Sequence, residues 1–246
     1  MRLLTTTALA ATLLVSPTAT ATTTASTSTS TSTSASTSTS TSTSTSTERI
    51  PVILVHGRNA GPGVWGTATA ALTARGIPAD RIFAWSYDTS RSTNEVLAGQ
   101  LSAYVDQVLR QTSATQVDLV AHSLGSLPTR WYVKYGNGSR TVRTWVSLAG
   151  PNHGTGLAWF CALWDQGCKD MTPNSYVVGR LNAAPETPSP VRYFTFWSDC
   201  DEQISPPTST PLTGAVNTKT AACLKHNDLL TDPAVLDGVT AALTGT

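Results

Sequence analysis

The chain has 246 residues, of which 13% are charged, and its formal net charge is +1. So few charges, nearly balanced in sign, leave no basic surface that could bind a phosphate backbone, so we expect no nucleic-acid partner. We also expect no transmembrane segment in the mature chain, because no later stretch is long and apolar enough to cross a bilayer.

The N-terminal 47 residues differ in composition from the rest of the chain. Residues 1–21 combine an early basic residue, a small-and-apolar stretch and an A-x-A-like end, which is typical of a secretory signal peptide. Residues 22–47 are almost wholly Ser and Thr, which is too poor in large apolar side chains for a packed core, so we interpret them as a disordered linker. Residues 48–246 are long enough for one domain, and we expect a secreted, extracellular and monomeric protein.

Strand and helix patterns alternate along this domain. Apolar runs predict buried strands at residues 50–55, 81–85, 117–120, 142–149 and 191–197. Helical patterns predict helices at residues 67–74, 92–109, 124–135, 172–181 and 233–243. The alternation predicts an α/β fold with a mostly parallel central sheet flanked by helices, whose ligands bind at the carboxyl ends of the strands.

Two of the predicted helices begin with capping signals. Ser92 and Glu95 have the spacing of a capping box. Thr172 followed by Pro173 is typical of an N-cap and a first helical position. We therefore expect the second helix to begin near Ser92 and the short helix to begin at Pro173.

The segment Ala121-His122-Ser123-Leu124-Gly125 follows the third predicted strand. A short strand that ends in small-x-Ser-x-Gly is typical of a nucleophile elbow, in which a sharp turn into a helix raises the serine hydroxyl above the sheet. Small residues are needed on both sides of the serine because the following helix passes close to the strand. Ser123 is therefore the candidate nucleophile.

The four histidines can be sorted by position. His56 ends the first strand and His122 adjoins the candidate nucleophile with its side chain on the opposite side of the strand, so both are interpreted as structural. His153 follows a strand and is a candidate for shaping a binding cavity. His226 lies late in the chain after an acidic cluster, which matches the chain order nucleophile, acid, histidine. His226 is therefore the candidate general base, which would remove the proton of Ser123.

The acid that would orient this histidine should follow the strand at 191–197. Asp199, Asp201 and Glu202 all lie there, and spacing alone does not choose between Asp199 and Asp201.

Taken together, several motifs resemble the secreted bacterial lipases of the lipase class 2 family. They are His56-Gly57, Val117 to Gly125, Ser147 to Thr155, Trp197 to Asp201 and His226 to Leu230, with Ala121 where the family has Gly. The resemblance implies a compact α/β-hydrolase, with little or no lid, that cleaves carboxylic esters of glycerol. It also implies that Asp201 is the acid and His226 the base. No C-x-x-C pair or His/Cys cluster offers a zinc site, and we expect no cofactor and no catalytic metal.

Acyl transfer also needs hydrogen-bond donors for the negatively charged oxygen of the transition state. The backbone NH after the nucleophile, that of Leu124, is one expected donor. The family pattern implies that the backbone NH of Arg58 is the other. Because this donor is a main-chain group, it places little constraint on the side chain at position 58, which we expect to be simply solvated.

Four cysteines in an exported chain predict two disulfides. We favour Cys161 with Cys168, which closes a short apolar loop, and Cys200 with Cys223, which joins the acid-bearing loop to the histidine-bearing loop.

The segment from Leu157 to Trp164 is densely apolar. Packing in the core is the more common fate of such residues, and we expect it here. A wall for the acyl chain of a substrate, or a surface that contacts lipid, is the alternative.

Three functions are compatible with these patterns. The leading one is a secreted triacylglycerol lipase or esterase, with a lipid or ester substrate and contact with a lipid–water interface. A polyester depolymerase would use the same Ser-His-Asp triad in a more open groove. A non-catalytic adhesion module would not need Ser123, Asp201 and His226 together.

Overall fold

The computed structural model describes residues 50–245. The predicted signal peptide, the Ser/Thr linker and the first and last residues of the predicted domain lie outside the described residues. Within residues 50–245 the strands form a six-stranded sheet of parallel neighbours in the order β2-β1-β3-β4-β5-β6. The strands are β1 Val52–Val55, β2 Ile82–Trp85, β3 Val117–His122, β4 Val142–Leu148, β5 Arg192–Trp197 and β6 Val216–Lys219.

The helices cover both faces of this sheet, as the alternating pattern predicts. They are α1 Gly66–Ala74, α2 Asn94–Thr112, α3 Ser126–Tyr135, α4 Gly138–Thr141, α5 Gln166–Met171, α6 Tyr176–Asn182 and α7 Pro233–Thr244. Leu54 of β1 packs in a cluster with side chains of α1 and α7. Its neighbour Val55 packs in a second cluster with side chains of α2 and α3. Consecutive strand residues point to opposite faces, so strands covered on both faces are continuously apolar.

The register of the strands brings their carboxyl ends to one edge of the sheet. Val55 pairs with Ala121, and Ala121 pairs with Ser147. Ser147 in turn pairs with Thr195. The loops that follow β1, β3, β4 and β5 therefore leave the sheet side by side, so Ser123 and the loops that carry Arg58 and Asp201 lie at one rim of the sheet.

Helix α2 begins near Ser92 as expected, but the capping box predicted there is wrong. The helix begins at Asn94 after Thr93, and the Thr93 side chain makes no capping hydrogen bond. The backbone NH of Asn94 instead donates to the carboxylate of Asp170, 76 residues further along the chain, at 2.9 Å. A tertiary contact has replaced the local capping box, because either acceptor satisfies the free NH groups of a first turn.

The predicted start of the short helix near residue 172 is also wrong. Thr172 ends α5, and α6 begins at Tyr176 with Ser175 as its N-cap. The Ser175 hydroxyl accepts from the backbone NH of Val178 at 3.1 Å and donates to the carbonyl oxygen of Asp170.

Strand β6 is absent from the sequence-based layout. Its residues Val216–Lys219 are exposed throughout, so no apolar run predicts it. The strand forms by pairing with β5 at the edge of the sheet, and the side chains of Thr195 and Asn217 hydrogen-bond across the pair at 2.7 Å.

Candidate active site

The turn from β3 into α3 has the geometry of a strained elbow. Ser123 has a φ of 55°, in the left-handed region that residues other than glycine rarely adopt. At Gly125 a Cβ atom would lie 2.6 Å from the carbonyl oxygen of His56 and 2.7 Å from that of Val55. The helix therefore passes against the end of β1, and this contact explains why position 125 requires glycine.

His226 and Asp201 form a buried pair beside this elbow. Nδ1 of His226 lies 3.0 Å from Oδ1 and 2.9 Å from Oδ2 of Asp201. An ionised carboxylate only accepts hydrogen bonds, so this contact places the proton of a neutral imidazole on Nδ1 and leaves Nε2 free to accept one. Both residues are buried, which limits competition from water.

The carboxylate of Asp201 is itself held by the backbone. The NH groups of Gln203 and Ile204 donate to its Oδ1 at 2.8 and 2.9 Å. Asp199 is exposed and contacts Lys219 at 3.1 Å. Glu202 accepts from the backbone NH of His226 at 3.1 Å, so it contacts the histidine loop without touching the imidazole. Geometry thus separates three carboxylates that spacing in the sequence leaves equivalent.

His122 is closer to the site than its structural interpretation implies. Its ring lies against that of His226, with centroids 4.6 Å apart. Its Nε2 donates to the carbonyl oxygen of His226 at 3.2 Å. Burial, together with the neighbouring His226, lowers the pKa of His122 to about 3, so it remains a neutral donor. Adjacency to Ser123 is the signal that could have indicated this role.

The other two histidines differ in their surroundings. His56 is fully buried and stacks on Tyr87, whose hydroxyl donates to the carbonyl oxygen of His56 at 2.6 Å, in agreement with a structural role. His153 contacts the carbonyl oxygen of Ser209 and the carboxylate of Glu186. Thr155, rather than His153, lines the cavity described next.

A cavity of about 670 Å³ opens at the carboxyl ends of the strands, and we call it the rim cavity. Its polar wall includes Gly57, Arg58, His122, Ser123 and His226. Its apolar wall includes Leu157, Ala158, Met171, Ile204 and Leu230. The candidate nucleophile and the candidate base therefore face the same space, next to a surface suited to an apolar group.

The Arg58 side chain is not simply solvated. Its Nε donates to Oδ2 of Asp165 at 2.8 Å, and the Asp165 side chain is buried. Oδ1 of Asp165 accepts from the backbone NH of Cys168 at 2.9 Å and caps α5. One carboxylate thus joins the loop after β1 to the segment that carries the first disulfide. A separation of 107 residues hides this contact from the sequence.

Both predicted disulfides are present. Cys161 is bonded to Cys168 and Cys200 to Cys223. The second bond joins the loop of Asp201 to the segment that leads into His226. Disulfides of this kind fit an oxidising, extracellular compartment.

The expectation that the apolar segment at 157–164 packs in the core is wrong for most of its side chains. We call residues 157–164 the apolar loop. Trp159, Phe160, Leu163 and Trp164 are exposed by 61%, 78%, 92% and 73%. Ala158 is buried and packs with Leu124 and Met171. Cys161 and Ala162 are partly buried against the same cluster, so only one side of the loop contacts the protein.

Among the helices within 50–245, none combines the length and the apolar character that a membrane span needs. In the same part of the chain, no group of three or more His, Cys, Asp or Glu side chains is arranged to hold a metal ion.

Comparison with known proteins identifies the family. Residues 49–232 match the family described as lipase (class 2). The chain belongs to this family. The match spans the elbow, the rim cavity and the His226–Asp201 pair, and the parallel sheet flanked by helices agrees with the α/β-hydrolase fold of this family.

Solved structures share the fold at low sequence identity. Lipase B of Aspergillus fumigatus superposes with a TM-score of 0.69 at 18% identity, over 81% of this chain and 53% of that protein. The mature lipase of Bacillus licheniformis superposes with a TM-score of 0.66 at 14% identity, over 79% of this chain and 91% of that one. An esterase of Rhodococcus sp. gives a TM-score of 0.55 at 15% identity, over 79% and 90%. This chain thus corresponds to about half of the fungal lipase and to most of the two bacterial enzymes.

Proposed function

We propose that this protein is a secreted serine hydrolase that cleaves carboxylic esters, acting as a triacylglycerol lipase or esterase. The observation that carries the proposal is the buried contact of His226 Nδ1 with Asp201, beside a strained Ser123 that faces the same cavity. A histidine held by a carboxylate at Nδ1 presents Nε2 as a base, which is what activation of a serine hydroxyl requires.

In the first half of the reaction, Ser123 Oγ attacks the ester carbonyl carbon while His226 Nε2 takes the hydroxyl proton. Asp201 stabilises the imidazolium that forms. The backbone NH groups of Leu124 and Arg58 donate to the oxygen that becomes negative. Collapse of this intermediate breaks the ester C–O bond, and the alcohol leaves with the proton from His226. Ser123 then carries the acyl group.

In the second half, water replaces the alcohol. The oxygen of the water attacks the acyl carbon while His226 Nε2 takes a proton from that water. The same donors hold the negatively charged oxygen. Collapse breaks the bond to Ser123 Oγ, which recovers its proton from His226, and the carboxylic acid leaves. No cofactor or metal takes part in these steps.

The apolar wall of the rim cavity supports an acyl chain as the group that is bound. Leu157, Met171, Ile204 and Leu230 would lie along the chain, and each would bury apolar surface against it. Export through the predicted signal peptide would place the enzyme where external lipids occur, in a compartment that keeps both disulfides oxidised.

Replacement of the serine tests the proposal directly. Ser123→Ala should fold like the parent and lower turnover of p-nitrophenyl esters by about a millionfold, because the nucleophile is removed. An organophosphonate should label the parent at Ser123, as peptide mapping would show, and should leave Ser123→Ala unlabelled. Residual turnover above a few per cent of the parent would disprove the assignment. A series of acyl chains from acetate to a triglyceride emulsion would separate an esterase from a lipase.

A further inference from the structure

The apolar loop exposes more large apolar surface than a folded protein usually leaves in water. Trp159, Phe160, Leu163 and Trp164 each expose more than half of their area within eight residues of sequence. Isolated apolar side chains on a surface are common, but a continuous patch marks a site of interaction.

The loop is held in this exposed arrangement by bonds to the segment that follows it. The Cys161–Cys168 disulfide joins it to α5, and the backbone NH groups of Trp164 and Asp165 donate to the carbonyl oxygen of Cys161 at 3.2 and 3.0 Å. Asp165 then attaches it to Arg58. The disulfide, the hydrogen bonds and the ion pair therefore hold the backbone while the side chains face solvent. These side chains can contact a partner without a change in the conformation of the loop.

The loop is continuous with the rim cavity. Leu157, Ala158 and Cys161 line the cavity, whereas Phe160, Leu163 and Trp164 face outward from the same eight residues. A surface covered by the outward side chains would lie beside the entrance to Ser123.

The area of the patch favours a lipid surface over a protein partner. Three aromatic side chains of about 150–250 Å² each, exposed by 61–78%, together with Leu163, offer roughly 500–600 Å². One side of a standard protein interface contributes about 800 Å². A few apolar side chains do suffice for a protein to enter the boundary between headgroups and acyl chains, where tryptophan is favoured.

The charges beside the loop agree with this choice. Arg91 and Lys169 line the shallow groove next to Leu163 and Trp164. Asp165 lies in the same groove but is paired with Arg58, and the exposed Asp88 is 3.7 Å from Arg91. Glu95 and Asp170 lie with Lys169 in the neighbouring groove beside Trp159. The surroundings are thus mixed in charge, and the two cations beside Leu163 and Trp164 suit a zwitterionic headgroup that carries a phosphate.

We propose that the apolar loop docks the protein onto the surface of aggregated lipid, with Phe160, Leu163 and Trp164 inserted and the rim cavity facing the lipid. The choice of lipid rests on the proposed function, since a lipid surface is where esters of glycerol would be met. Docking itself uses side chains outside the rim cavity, so it can be tested apart from hydrolysis.

Vesicle binding is the first test. Full-length protein carrying Ser123→Ala, which cannot consume lipid, is floated with phosphatidylcholine vesicles. The added changes Phe160→Ser, Leu163→Ser and Trp164→Ser should weaken partitioning on the order of a hundredfold, because three large apolar side chains no longer leave water. Leu163→Ser alone should weaken it several-fold. Val216→Ser, which changes an exposed apolar side chain on β6, should leave it unchanged.

Hydrolysis by the corresponding variants with Ser123 intact is the second test. The triple variant should keep kcat/KM for dissolved p-nitrophenyl butyrate within about twofold of the parent, because the three side chains lie outside the rim cavity. Its rate on a triolein emulsion should fall at least tenfold. Equal losses on both substrates would mean that the loop supports the site and does not dock, which would overturn the proposal.

Fluorescence reports the docked face without reliance on the triple variant. Subtraction of the Trp164→Phe spectrum from that of the parent isolates Trp164, whose emission should shift to shorter wavelength when vesicles are added. No shift, no binding by the parent, or equal binding by the parent and the triple variant would each overturn the proposal. So would a dimer in size-exclusion chromatography that only the triple variant lacks, because the loop would then bind a second copy.

The two proposals fail in different ways. If no ester is cleaved but vesicle binding depends on the three side chains, the proposed function is wrong and the docking surface stands. If esters are cleaved by way of Ser123 but the triple variant docks normally, the docking surface is wrong and the hydrolase stands.

Discussion

The imidazole of His122 packs against that of His226. The ring centroids lie 4.6 Å apart, and Nε2 of His122 donates to the carbonyl oxygen of His226. His122 is buried, and its pKa is lowered to about 3 by desolvation and by the neighbouring His226. The residue before the proposed nucleophile thus positions the proposed base.

This low pKa predicts a pH-dependent loss of stability. An unfolded histidine titrates near pH 6.5, so between about pH 6.5 and 3 the unfolded chain binds a proton that folded His122 does not. Stability should therefore fall as pH falls through 6.5. His122→Gln keeps a donor and removes this group, so its free energy of unfolding relative to the parent should rise by on the order of 1 kcal/mol per pH unit from pH 6.5 to 5. Urea denaturation of the parent and of His122→Gln at several pH values measures this difference. A difference in free energy of unfolding that does not change with pH would contradict the prediction.

The two aspartates near residue 200 should differ in effect. Asp201→Asn should lower kcat by around ten thousandfold, because Asn can present its amide to Nδ1 and stabilise the wrong tautomer of His226. Asp199→Asn should change kcat less than threefold, since Asp199 is exposed and pairs with Lys219 at the surface. Turnover of p-nitrophenyl butyrate by both variants checks this, and the reverse ranking would reassign the acid.

Gly125 is expected to tolerate no side chain. A methyl group there would meet the carbonyl oxygens of His56 and Val55 well inside van der Waals contact. Gly125→Ala should lower the free energy of unfolding by about 1–3 kcal/mol and should displace Ser123. Gly99→Ala is the matched control, because Gly99 lies in α2 with open space around it. This substitution should raise the free energy of unfolding by about 0.5–1 kcal/mol. Thermal denaturation of both variants tests the contrast.

The Arg58–Asp165 pair should position the loop that carries the proposed backbone donor. Asp165→Asn can keep an acceptor for the NH of Cys168, but its NH2 group then faces Arg58, which is also a donor. The contact with Arg58 is lost, so kcat should fall several-fold and the free energy of unfolding by about 1–2 kcal/mol. Asp165→Ala removes both contacts and should lower the free energy of unfolding by about 2–3 kcal/mol. If Asp165→Asn left kcat unchanged, the pair would be structural only.

The two disulfides should affect activity differently. On loop-closure grounds the Cys200–Cys223 bond contributes about 3 kcal/mol, somewhat more than the bond that closes the shorter loop. Replacement of Cys200 and Cys223 by Ser should also lower kcat at temperatures where the fold persists, because Asp201 and His226 would lose their fixed separation. Replacement of Cys161 and Cys168 by Ser should lower kcat for dissolved esters less. Equal loss of kcat in both double variants would contradict this.

The sequence by itself determined those features that depend on neighbouring residues. Strand runs, the small residues around Ser123 and the order of Ser123, acid and His226 are all local or sequential patterns. They were sufficient for the α/β architecture, the elbow and both disulfide pairings. Composition also defined a leader and a linker, predictions that fall outside the described residues.

Tertiary structure decided whatever depends on partners that are distant along the chain. Asp201 is distinguished from Asp199 by the direction of its side chain toward His226, and α2 is capped by Asp170 in place of its own first residues. A disulfide and an ion pair hold the backbone of the apolar loop against the protein, and within residues 50–245 no side chain covers its outer face. Apolar composition measures the free energy available from burial, but only the folded chain decides which surface is present to be buried against.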